Sequence, residues 1–72
     1  MKPDFNKPIY GEVKGFIDAS AAKAYFKNHG IEYTEQAEDG YYVGSFYVFK
    51  FPAMTKEQLE MATKYTEVRF YQ

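Results

Sequence analysis

Over Ile9-Tyr10-Gly11-Glu12-Val13-Lys14-Gly15-Phe16-Ile17 the chain places Ile9, Val13 and Ile17 on one side and Tyr10, Glu12 and Lys14 on the other. A period of two predicts a half-buried strand, which Gly11 and Gly15 weaken or bend. The pattern then changes. Ala19 to Asn28 is rich in alanine and lysine, with Ala22 and Phe26 at i and i+4, and it follows Asp18 and Ser20, both good N-cap residues. Gly30 stops this helix where a left-handed residue is needed. His29 falls in its last turn, where the helix dipole favours a cation, and reads as a capping or solvent residue. Ile31 to Ala37 alternates again and predicts a second strand. Asp39-Gly40 is a two-residue hairpin signal, and an aromatic strand follows from Tyr41 to Phe51, ended by Pro52. Thr55 and Gln58 form a capping box with Met54 and Leu59 as its hydrophobic staple, and Leu59, Ala62 and Tyr65 (or Thr66) make the inward stripe of a second helix. Glu67 to Gln72 reads as a last short strand with Val68 and Phe70 on one side. Residues 1–8, with two prolines, read as an extended lead-in to a single domain over 9–72.

The predicted order is β-α-β-β-α-β in an α+β domain. It resembles the ferredoxin-like arrangement, a four-stranded antiparallel sheet with both helices on one face. That likeness is one of topology and carries no activity with it. The Asp39-Gly40 turn sets an expected register in which Tyr33 faces Phe46 and Ile31 faces Val48, so these four join Ile9, Val13, Val68 and Phe70 beneath the helices. The opposite face then receives Tyr41, Val43, Ser45, Tyr47 and Phe49 from the third strand, Thr34 and its even-numbered neighbours from the second, Tyr10, Glu12 and Lys14 from the first, and Arg69 and Tyr71 from the last. With helices on one side only, this aromatic face is the expected partner-binding surface, and Tyr10, Tyr41, Tyr47, Phe49, Arg69 and Tyr71 are its candidate residues.

Composition narrows the functional classes. A chain of 72 residues buries only about 60% of the surface its unfolded form exposes, so a partner would relieve a thin stability margin. There is no cysteine, which suits a reducing compartment, and the N-terminus lacks the apolar stretch of a secretory signal, so the expectation is a soluble cytoplasmic protein without a membrane span. His29 is the only imidazole. It has no second ligand at useful spacing, so neither a metal nor a cofactor is expected. Eight tyrosines and seven phenylalanines exceed what a small core needs, which leaves some rings near the surface. The net charge of −1 is spread along the chain, and the pull toward phosphate backbones is weak.

No glycine-rich phosphate loop, nucleophile with a base, or convergent titratable cluster marks an enzyme, and none is expected. The expectation is a non-enzymatic protein-interaction or regulatory module of the inhibitor type, docking another protein or a second copy of itself. Single-stranded nucleic-acid binding is the alternative. RNA-recognition domains share the topology and stack bases on aromatics of the two central strands. Asp39-Gly40-Tyr41-Tyr42-Val43-Gly44-Ser45-Phe46 resembles their third-strand pattern at Gly40, Tyr41 and Phe46. It departs from it at Asp39, where lysine or arginine is expected, and at Tyr42, Val43 and Gly44.

Overall fold

The computed structural model describes residues 2–36 and 46–72. Its elements are β1 (Ile9–Lys14), α1 (Phe16–Asn28), β2 (Thr34–Glu35), β3 (Phe46–Phe51), α2 (Lys56–Tyr65) and β4 (Arg69–Tyr71). The strands form one antiparallel sheet in the order β2-β3-β1-β4, the ferredoxin-like layout. Among the described residues no helix is long and apolar enough to cross a membrane.

The helix α1 begins earlier than its sequence suggests. Gly15, at φ +94°, turns the chain directly from strand to helix, and Ala19 N–H donates to the Gly15 carbonyl at 3.0 Å. No side chain caps this end. Asp18 instead lies in the first turn, where a carboxylate complements the helix dipole. One consequence corrects the expected strand: Ile17 does not continue the inward row of β1. Phe16 and Ile17 lie in the first helical turn, 68% and 80% exposed. The other end matches expectation. Gly30 is left-handed at φ +64°, Gly30 N–H reaches the Lys27 carbonyl, and Ile31 N–H reaches the Phe26 carbonyl at 2.9 Å. This is a Schellman closure, with Phe26 and Ile31 both buried as its apolar pair.

The α2 capping box forms as read. Thr55 Oγ1 accepts from Gln58 N–H at 3.1 Å and Gln58 Oε1 accepts from Thr55 N–H at 2.9 Å. Leu59 and Ala62 point inward, whereas Tyr65 is exposed. The helix ends at Thr66, whose hydroxyl donates to the Ala62 carbonyl.

The third strand is where the sheet departs from the expected register. Thr34 faces Lys50 and Glu35 faces Phe49, whereas a two-residue turn at Asp39-Gly40 would set Thr34 opposite Ser45. The displacement is odd, so β3 presents the opposite row to the helices. On β1 the pairs Ile9–Phe51, Gly11–Phe49 and Val13–Tyr47 carry Tyr47, Phe49 and Phe51 inward. Phe49 is 0% exposed and Tyr47 packs against the core, while Phe46, 39% exposed, and Val48 lie on the helix-free side. The physical reason is Lys50. It shares a row with Phe46 and Val48, so burying that row would bury an ammonium as well. The row Tyr47-Phe49-Phe51 is wholly aromatic, and no polar or charged side chain among the described residues is buried. The Asp39-Gly40 turn itself lies outside the described residues.

Phe26 of α1 organises the core. Its ring meets Phe51 edge-on at 4.9 Å and Phe49 at 5.8 Å, and Tyr33 contacts both Phe26 and Phe49 at 5.5 Å. Such edge-to-face pairs add to the burial of the rings themselves. Gly11 makes room for them. A Cβ there would lie 2.6 Å from Val68 Cγ1 and 3.1 Å from the Phe51 ring.

The lead-in folds back on the sheet's edge. Gln72 Oε1 accepts from Asp4 N–H at 2.8 Å, and Gln72 Nε2 donates to the Asp4 carbonyl at 2.8 Å and the Pro8 carbonyl at 3.2 Å. One carboxamide thus stands in for a strand's peptide group.

Three substitutions test this arrangement. Phe49→Ala is expected to cost about 3–5 kcal/mol, enough to unfold most of a small domain, whereas Phe46→Ala should cost under about 1 kcal/mol. Urea denaturation of the two variants would reverse that order if the rows were exchanged. Gly11→Ala is expected to destabilise by about 1–3 kcal/mol through overpacking against Val68, read in the same experiment.

Candidate functional site

The helix-free face is built by the alternation of four strands. Across its middle run Thr34, Lys50, Tyr10 and Tyr71, each opposite the next on the neighbouring strand. The adjoining row is Val48, Glu12 and Arg69, and the third is Phe46 and Lys14. Both helices contribute to the core on the other side of the sheet, through Ala19, Ala22 and Phe26 and through Leu59 and Ala62. Among the described residues no helix or strand lies over these rows.

Tyr10 and Tyr71 stack at a centroid separation of 5.8 Å and an angle of 23°. Cross-strand aromatic pairs of this kind hold strands together as well as exposing ring surface. Glu12 Oε1 and Arg69 Nη1 are 4.0 Å apart, at the outer limit of an ion pair, and the guanidinium is largely exposed. Such a pair contributes little to stability and leaves Arg69 able to meet another carboxylate. Lys14 and Lys50 add two further cations, so among the described residues of these rows three cations accompany one carboxylate, even though the chain as a whole is slightly acidic. The Tyr71 hydroxyl is held above its ordinary value of 10.0, first by partial burial and then by the nearby charges of Glu12 and Tyr10.

The sequence-derived candidates divide three ways. Tyr10, Arg69 and Tyr71 lie together on the helix-free face. Tyr47 and Phe49 do not: the odd register displacement turns both toward the helices, and their assignment to this surface is corrected accordingly. Tyr41 lies outside the described residues, as do Val43 and Ser45. In place of Tyr47 and Phe49 the face gains Phe46, Val48 and Lys50, which the sequence reading missed. The signal for them was the lysine, since a row ending in Lys50 is the natural outward row. The second strand also delivers less than expected. Thr34 takes the predicted face, but Glu32 precedes the strand, and Glu35 points to the helix side, where it meets Lys23 Nζ at 3.2 Å.

Chemistry elsewhere is sparse. His29 is exposed, its ring stacks on Tyr25 at 4.0 Å, and Nδ1 lies 2.8 Å from the Tyr25 carbonyl. A carbonyl cannot donate, so Nδ1 carries the proton and the imidazole closes the helix end. Among the described residues no group of three or more histidine, aspartate or glutamate side chains is placed to hold a metal ion. No protein-family model matches the chain, and no curated protein or solved structure does.

The raised Tyr71 value has a definite sign. The folded state holds the phenolic proton more tightly than the unfolded chain, so this contribution to stability is complete below about pH 10 and is lost as pH rises through the folded value. Alkaline denaturation should therefore show a Tyr71-dependent loss that is missing from Tyr71→Phe. Glu12→Gln should let Tyr71 ionise at lower pH in a spectrophotometric titration, and an unshifted titration would remove Glu12 as a cause.

Proposed function

We propose that this chain is a small non-enzymatic protein-interaction module of the inhibitor or regulator type, acting in the cytoplasm, which docks a partner protein through the helix-free face of its sheet. The observation that carries the reading is the stacked Tyr10–Tyr71 pair with Phe46 and Val48 on a sheet face that no described element covers. Tyrosine suits such a surface because it offers broad contact area with few rotatable bonds. Lys14, Lys50 and Arg69 around the rings favour a partner surface bearing carboxylates. The same imbalance disfavours face-to-face pairing of two copies, in which like charges would meet. The cysteine-free chain is compatible with a reducing compartment.

Rings flanked by cations on β1 and β3 also favour a second reading, single-stranded nucleic acid bound on this face. Two features weigh against it. Tyr10 and Tyr71 occupy one face of each other's ring, and Glu12 stands between them and Phe46, where a phosphate chain would pass.

The test is affinity capture from the native host with the wild-type chain, a Phe46→Ala/Tyr71→Ala double variant, and Lys27→Ala on the outer side of α1 as control. A protein held by wild type and control should rebind in purified form and lose at least about tenfold in affinity with the double variant, roughly 1.4 kcal/mol. Equal retention by the double variant would refute the surface. A labelled oligonucleotide titrated at low salt separates the readings: saturable binding that falls steeply with added salt would establish the nucleic-acid alternative.

A further inference from the structure

A groove of about 910 Å³ opens on the other side of the sheet, between the lead-in segment, α2 and β4. Val68 and Phe70 form its floor, and Phe5 and Leu59 stand on either side. The hydroxyl of Thr63, also on the wall, is committed to the Leu59 carbonyl at 2.7 Å, so the interior offers little hydrogen bonding. The rim is different. Lys2 and Lys56 are its cationic lining residues and Glu60 its one carboxylate, while Arg69 lines it from β4 with its guanidinium turned toward Glu12 on the helix-free side. The floor strand is also a sheet edge: β4 pairs with β1 on one side, and no strand of the described residues pairs with the other.

We propose that this groove receives an acidic, extended segment of a partner protein, added along the outer edge of β4. Three observations converge on that occupant. An unpaired edge strand offers main-chain donors and acceptors at the spacing of another strand. Side chains of an added strand alternate in direction, so every second one would enter the apolar groove beside Leu59 and Phe70. The rest, and the side chains at either end, would meet Lys2 and Lys56 against the single carboxylate of Glu60, a balance that favours an acidic segment over a basic one. The lead-in is held in place as a wall by the Gln72 carboxamide, so the groove exists in the free protein. This inference does not rest on the helix-free face.

A blocked octapeptide of alternating glutamate and leucine is the probe, titrated into the isotopically labelled full chain and followed by amide chemical shifts. Saturable shifts centred on Val68, Arg69 and Phe70 are expected. Lys2→Glu/Lys56→Glu should weaken binding by about fivefold or more, since two rim charges are reversed. A glutamate at the start of α2 is favourable to the helix, so this variant keeps the fold. Phe46→Ala/Tyr71→Ala should leave the affinity unchanged, which separates this site from the helix-free face. Equal binding of an alternating lysine and leucine peptide, shifts confined to Tyr10 and Val48, or no shift at millimolar peptide would each overturn the proposal.

Discussion

Everything in this domain follows from which row of β3 is buried. Phe49 and Phe51 close on Phe26 in edge-to-face contacts, Tyr47 packs against the same core, and the row between them ends in a lysine. Burying the aromatic row removes the most apolar surface from water and leaves the ammonium of Lys50 outside. Once that choice is made, the pairing with β1 fixes Ile9 and Val13 beneath the helices and turns Tyr10, Glu12 and Lys14 outward. Gly11 belongs to the same constraint, because the rings of Phe51 and Phe70 and the side chain of Val68 fill the space its missing side chain leaves.

The surface is therefore the remainder of the core. Phe46, exposed, and Val48, half-buried, face away from the helices because their neighbours in sequence are better core residues, and they bring Lys50 with them. The result is a face on which apolar and aromatic side chains are interleaved with cations, on a chain whose net charge is −1. Local charge, more than the total, governs what such a face can dock.

Much of this was legible in the sequence, and the part that was not has a common cause. The helix ends were written locally, in Thr55 with Gln58 and in Gly30, because capping involves residues a few positions apart. The topology followed from element order. The faces of β1, β2 and β4 also came out as read, each from its own alternation. The start of α1 and the face of β3 did not. Gly15 could be taken for a weak strand residue or for a left-handed turn, and only the three-dimensional path decides. The Asp39-Gly40 turn predicts one register for β3, whereas in the structure packing across the sheet against β1 and α1 sets another. Three of the six candidate site residues survived on the helix-free face because they sit on β1 and β4, whose alternation did not depend on that turn.

The carboxamide of Gln72 has a kinetic meaning as well. It joins Asp4 to a residue 68 positions away, and it can do so only after β4 has aligned beside β1. A contact of such sequence separation costs more loop entropy than it returns until the intervening chain is ordered. The tie between the two ends is thus a closing step of folding. Its formation reports that β4 has paired with β1, which no local helix or turn in this chain can report.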